Sequence, residues 1–260
     1  CLANRESISI FFCLDKYFEV ISDIQRKLKL SRFVCEAQES YPPEIRTGEI
    51  GEEILMALER LANCYLRTKN YQKARKTYQE IAQLWQNLSA IEERQKQLGI
   101  ATSYHQLGIV AQELREYEEA RRNYQLALAI FVEFGDRYGQ ALTYHQLGNV
   151  AQELREYEEA RGNYQLALAI KVEFGDRYEQ ANTYHSLGWV AEGLGDLEEA
   201  KTNLLQACQI WAQFNDEYNV QTFSIPSFAR CYKTTKDESL LEAIAEVFGV
   251  SVEEVRRLLE

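Results

Sequence analysis

Apolar positions recur through this chain at helical intervals rather than in alternation. Between residues 101 and 140, Tyr104, Leu107, Ala111 and Leu114 fall three or four residues apart, and so do most steps through Tyr117, Ala120, Tyr124, Ala127 and Leu128. Residues at that spacing share one side of an α-helix, so each set marks an apolar stripe and the two predict a pair of amphipathic helices. Long stretches of Ala, Leu, Glu, Gln, Arg and Tyr, with only three prolines in 260 residues, extend the expectation along the chain. Those stretches are free of the β-branched clusters that strands favour, and an all-α protein follows.

The pattern repeats at a shift of 40. Residues 101–140 and 141–180 match at 34 of 40 positions, and 181–220 form a more divergent third copy. The shared frame is Tyr104, Leu107, Gly108, Ala111, Ala120, Tyr124 and Ala127 in the first copy. It becomes Tyr144, Leu147, Gly148, Ala151, Ala160, Tyr164 and Ala167 in the second, and Tyr184, Leu187, Gly188, Ala191, Ala200, Leu204 and Ala207 in the third. Small residues at Gly108 and Ala120 allow two helices to approach closely, while the aromatics fill the wider gaps between pairs. Neither helix can bury its stripe alone, so the pairs must stack.

On these residues the chain resembles the tetratricopeptide repeat family. The family pattern is an aromatic, Leu-Gly, an aromatic or small residue, then Ala, an aromatic and Ala on two antiparallel helices. The resemblance implies a right-handed superhelical solenoid of antiparallel helix pairs. The unit is longer than the family's usual ~34 residues, which lengthened helices explain. In Phe134-Gly135-Asp136 the glycine suits a left-handed helix end and the aspartate a cap for the next helix, and Asp176 with Glu179 reads as a capping box. Extended repeats of this kind resemble those of kinesin light chains and of the sensor regions of bacterial signal-transduction ATPases with numerous domains. The phrases YHQLG and EFGDRY look most like the second group, particularly its cyanobacterial members.

Around the three copies the frame decays. A degenerate repeat is expected at 54–98, with Leu58, Leu61, Ala62, Tyr65, Ala74 and Tyr78 on the frame. Residues 1–53 read as a helical segment, with Leu14 to Leu30 as one helix, or as a degraded repeat; Pro42 and Pro43 exclude helix where they stand. Beyond residue 220, Pro226 falls inside the next expected helix and Phe228 takes a small residue's place. Residues 221–260 are therefore expected to cap the array, ending in two short helices split at Gly249, with Ser251 and Glu254 as a second capping box.

The formal net charge of −11 is local. Residues 1–100 carry 15 Lys/Arg against 14 Asp/Glu, and the remainder 14 against 26. An acidic surface repels nucleic acid and anionic lipid, so neither is an expected partner. No apolar run approaches the roughly 20 residues that span a bilayer. The six cysteines, Cys1, Cys13, Cys35, Cys64, Cys208 and Cys231, show no metal-like spacing and read as reduced, mostly buried residues of a cytoplasmic protein. Cys1 has a sharper reading as the lipidated first residue of a processed lipoprotein, against the simpler one of a trimmed or partial chain.

Catalytic chemistry finds little to stand on. His105, His145 and His185 occupy one repeat position, but helices of neighbouring pairs lie roughly 8 to 10 Å apart, too far to share a zinc with bonds of about 2 Å. They are expected to form a polar row. Glu118, Glu119, Glu158, Glu159, Glu198 and Glu199 fit the first turns of second helices, where carboxylates favour the dipole. Nucleotide-loop, nucleophile-elbow and H-E-x-x-H motifs are absent from the sequence. No enzyme, metal or cofactor is expected. One rival is a helix-turn-helix at 243–259, with Ala245, Gly249 and Val255 on its frame and the repeats as effector domain of a DNA-binding regulator; Glu253 and Glu254 would meet phosphate with the wrong sign.

The resemblance also implies where a ligand sits. The family's contacts come from positions 2, 5, 9, 12 and 13 of the first helix, on the concave face. Carried onto this chain they are Thr102, His105, Ile109, Gln112 and Glu113; Leu142, His145, Asn149, Gln152 and Glu153; and Asn182, His185, Trp189, Glu192 and Gly193. Thr102 against Leu142 and Ile109 against Asn149 are two of the six differences between the near-identical copies. Such variation fits a groove that reads different features along its length, and drift on a free surface equally. The carboxylate clamp of the chaperone-binding members is matched only in part, by Asn149 and Asn182, so an acidic tail is not the expected ligand. A neutral or basic peptide or protein segment suits Glu113, Glu153 and Glu192 better. The oligomeric state and the partner's identity are not legible.

Overall fold

The computed structural model describes residues 14–16, 23–38, 42–48, 50–89 and 91–259. Among them every regular element is helical, and the chain is an all-α repeat fold of helix pairs. It divides into two compact units, residues 1–136 and 137–260.

The first unit contains α1 (Ile24–Gln38), the single turn α2 (Pro43–Arg46), α3 (Gly51–Arg67), α4 (Tyr71–Asn87), α5 (Glu93–Glu113) and α6 (Tyr117–Glu133). Val34 and Cys35 of α1 join Ile54, Leu55, Leu58 and Leu61 of α3, Tyr78 and Ile81 of α4, and Leu107 and Val110 of α5 in one buried cluster. Two expectations are corrected here. Leu14 to Leu30 is not one helix, because Asp23 accepts the Arg26 N–H at 3.0 Å and starts a new helix at Ile24. The proline pair does not exclude helix, because Pro43 takes the first helical position, where its missing N–H has no intrahelical partner to lose. Cys1 and Cys13 lie outside the described residues.

The second unit contains α7 (Arg137–Glu153), α8 (Tyr157–Glu173), α9 (Arg177–Leu194) and α10 (Leu197–Gln213). A short turn (Glu217–Asn219) and a π-helical stretch (Val220–Ser224) lead into α11 (Ile225–Thr235), α12 (Glu238–Phe248) and α13 (Val252–Leu259). Pro226 is thus accommodated rather than disruptive: the wide π turn precedes it, and it sits in the first turn of α11. Phe228, too large for the repeat frame, is fully buried among Trp211, Leu240, Leu241 and Ile244. Gly249 ends α12 with a φ of 65°, and Ser251 and Glu254 cap α13 reciprocally. At α9 only half of the capping box forms. Asp176 accepts the Glu179 N–H, but the Glu179 carboxylate binds Lys171 and Asn182.

Within each pair the helices meet at the frame glycines. A methyl group on Gly108 would lie 2.5 Å from the Tyr124 ring of α6, one on Gly148 2.6 Å from Tyr164 of α8, and one on Gly188 2.7 Å from Leu204 of α10. Such distances lie well inside van der Waals contact, so an alanine displaces the side chain above it. Gly148→Ala gains roughly 1 kcal/mol of helix propensity and loses roughly 1 to 3 kcal/mol to overpacking, and a net loss is expected. Gly162 of α8 is exposed with open space around it, so Gly162→Ala is expected to stabilise by up to about 1 kcal/mol. Denaturant unfolding of both variants checks this: the two changes must have opposite signs.

Candidate ligand-binding face

The sequence-derived positions lie on the first helices of the pairs: α5 in the first unit, α7 and α9 in the second. Their spacing places them along one side of each helix. On α5, Thr102 and Glu113 are exposed, while His105, Ile109 and Gln112 are half-buried. The His105 ring packs on Tyr124 with centroids 5.4 Å apart, and the Tyr124 hydroxyl donates to Gln112 Oε1 at 3.1 Å. Glu113 accepts the Tyr71 hydroxyl of α4 at 2.7 Å.

The second unit presents two such faces. On α7, Leu142 and Glu153 are exposed and His145, Asn149 and Gln152 half-buried. His145 packs on Tyr164 at 5.2 Å, and the Tyr164 hydroxyl lies 2.7 Å from Asn149 Oδ1 and 3.0 Å from Gln152 Oε1. The exchange of Ile109 for Asn149 therefore adds an acceptor beside the buried tyrosine. On α9, Asn182 donates to Glu179, and His185 lies between Trp211 and Phe223 at 5.6 and 5.3 Å. Glu192 is engaged by the Arg230 guanidinium through two bonds of 3.1 and 3.3 Å. Gly193 is exposed, and an added methyl there would meet Tyr157 at 2.9 Å. Trp189 keeps 38% of its surface exposed and meets Tyr157 of α8 edge-on, centroids 6.3 Å apart.

The histidines, expected to form a polar row, are half-buried. Each imidazole is covered by an aromatic of the second unit or first unit core, and burial depresses its pKa to about 4 in His105, about 3 in His145 and about 4 in His185. Lys171 adds to the effect at His145, and Arg230 at His185. All three are neutral at pH 7. No group of three or more His, Cys, Asp or Glu side chains among the described residues is arranged to hold a metal ion.

Sequence reasoning missed a buried polar array behind the face. Lys171, fully buried on α8, donates to Thr183 Oγ1 at 2.9 Å and pairs with Glu179 at 3.2 Å, and Thr183 Oγ1 lies 3.3 Å from His145 Nδ1. The signal was available, because Phe131 against Lys171 and Gly139 against Glu179 are two of the six differences between the copies. A cation fills the phenylalanine slot where a carboxylate replaces the glycine, and the pair changes together.

At the C-terminus, Ala245 and Val255 are buried and Gly249 separates the helices. Arg256 binds Glu238 and Glu253, and Arg257 faces Glu253, so both basic side chains of α13 are committed to carboxylates. Cys35, Cys64, Cys208 and Cys231 are buried free thiols, with burial pushing Cys208 and Cys231 up to about 11. No helix among the described residues is long and apolar enough to cross a membrane.

Depressed histidine pKa values link stability to pH. Between about 4 and the unfolded value near 6.5 the unfolded chain binds more protons, so stability present above that window is lost as pH falls through it. Thermal melts are expected to show a lower Tm at pH 5.5 than at pH 7.5. A variant with His105, His145 and His185 all changed to Gln should show a smaller drop; an equal drop would place the sensitivity elsewhere.

A family model for the tetratricopeptide repeat matches residues 99–171 and again 139–213, and a second model of the same description matches residues 56–87. Among curated proteins the sequence finds no match. Solved structures share the fold. BtubC (BKLC) from P. vanneervenii superposes with a TM-score of 0.66 at 19% identity, covering 91% of this chain and 89% of that one. The apo form of RapI gives 0.66 at 18% identity, over 98% and 84%. A signal-transduction ATPase with numerous domains from Pyrococcus horikoshii, described as having a tetratricopeptide repeat sensor, gives 0.66 at 18% identity. That alignment covers 89% of this chain and 35% of the ATPase.

Proposed function

This chain belongs to the tetratricopeptide repeat family, and we propose that it is a protein-interaction or ligand-sensing module that takes a peptide or protein segment on its first-helix faces. The observation that carries the reading is Trp189. A large aromatic stands 38% exposed on α9, held edge-on by Tyr157, while the frame residues beside it are buried. Rigid, partly exposed aromatics supply contact area at small entropic cost and dominate binding energies. On the same first-helix faces, Asn149 and Gln152 of α7 and Asn182 of α9 carry amides that can help fix the orientation of a bound backbone, beside the bonds they already make to Tyr164 and Glu179.

The ligand in this reading is neutral or basic. The acidic balance of the chain beyond residue 100 supports that, as does Glu153, which is exposed. Glu113 and Glu192 contribute less, being already engaged by Tyr71 and Arg230. The wider setting we propose is a larger bacterial signalling protein in which the repeats are the sensing part. The likeness of the repeated phrases to such sensors supports it, beside a fold shared with the sensor-bearing ATPase.

Panning a random-peptide display library against the full chain tests the face directly. Selected peptides should lack acidic runs and lose about 30-fold or more in affinity for Trp189→Ala, in keeping with a hot spot of ~2 kcal/mol. Asn149→Ala should cost less, about threefold to tenfold. Peptides that bind both variants as tightly as the native chain would remove this face from the account.

A further inference from the structure

The second unit carries an apolar cleft that the first-helix face does not use. It encloses 580 Å³ and is walled by Val220, Ile225, Ile244, Phe248, Val255 and Leu258. The π turn builds one wall. Val220 and Ile225 are five residues apart and on an α-helix would point about 140° away from each other. Here the Ile225 N–H bonds to the Val220 carbonyl, a turn closed over five residues, and the two side chains come to one side. The other wall is the C-terminal helix pair, with Leu258 54% exposed on α13 and Val250 43% exposed in the connection between the two helices.

The rim is acidic on both sides. Asp216 and Glu217 stand beside the π turn and Glu254 on α13, and neither lysine nor arginine lines the cleft among the described residues. Asp216 is held by the Tyr178 hydroxyl and by Asn219, and Glu254 by Ser251, all neutral groups that leave the carboxylate charge in place. Glu217 is exposed. An apolar floor between uncompensated carboxylates complements an apolar face flanked by cations.

The walls also decide the backbone of the occupant. Both are helices whose main-chain groups are bonded internally, so they offer no ladder to an extended strand. A helix brings its own hydrogen bonds. We propose that this cleft is a docking site for an amphipathic helix of a partner protein, with an apolar stripe flanked by Lys or Arg, separate from the first-helix face.

The test uses the full chain and a fluorescein-labelled 15-residue helix-forming peptide with leucines at i, i+3, i+4 and i+7 and lysines on either side, read by fluorescence anisotropy. Binding should weaken at least tenfold for Leu258→Asp, a substitution at an exposed position that leaves the core intact. It should weaken at least threefold for Glu217→Gln/Glu254→Gln, in which glutamine can still cap α13. Trp189→Ala should bind as the native chain does, which separates this site from the first-helix face. Equal affinity for the Leu258→Asp variant, or equal binding of a peptide with glutamates in place of the lysines, would overturn the proposal. So would a concentration-dependent dimer in sedimentation that Leu258→Asp abolishes, since the occupant would then be a second copy of the chain.

Discussion

Close approach of paired helices across a glycine is the constraint on which the rest of this structure depends. Gly108, Gly148 and Gly188 each sit under a large side chain of the partner helix, with no room for a methyl group. The second helix therefore rides close to the first at one fixed level. Tyr124 and Tyr164 are buried, yet each hydroxyl reaches the first helix, at Gln112 in one pair and at Asn149 and Gln152 in the other. The same closeness covers the histidines, each beside an aromatic ring, and keeps them neutral. Packing and the chemistry of the presented face are thus one arrangement.

From that arrangement come two kinds of surface. The first-helix faces are polar and half-buried, rich in amides, with Trp189 as their large aromatic. The C-terminal cleft is apolar with an acidic rim, and it exists because the repeat frame fails there. Pro226 and Phe228 depart from the frame, a π turn absorbs the change, and that turn and the helices that follow line the hollow.

Much of this was legible in the residues. The 40-residue period and the aromatic and alanine frame follow from spacing, and the helix ends at Gly249 and Ser251 from turn chemistry; the aromatics, expected in the gaps between pairs, instead lie over glycine within a pair, Tyr124 on Gly108 and Tyr164 on Gly148. What escaped depended on contacts between distant residues. Lys171 reads as a surface cation by type, yet Thr183 and Glu179 give it partners in the interior. Glu192 reads as a free groove carboxylate until Arg230, 38 residues on, is seen to hold it. Proline was over-read twice, at Pro43 and Pro226, because its cost depends on whether the lost N–H had a partner. The cleft left no mark in the sequence, since its walls are ordinary apolar residues gathered by an irregular turn.

The claim that a ring lying over glycine sets the spacing of a helix pair is tested most directly by a double-mutant cycle at Gly148 and Tyr164, measured by denaturant unfolding. With the ring removed in Tyr164→Ala, the alanine at 148 has space, and Gly148→Ala should turn from destabilising to neutral or stabilising, a coupling of about 1 kcal/mol or more. Additive effects, with the glycine substitution costing the same whether or not the ring is present, would contradict the account.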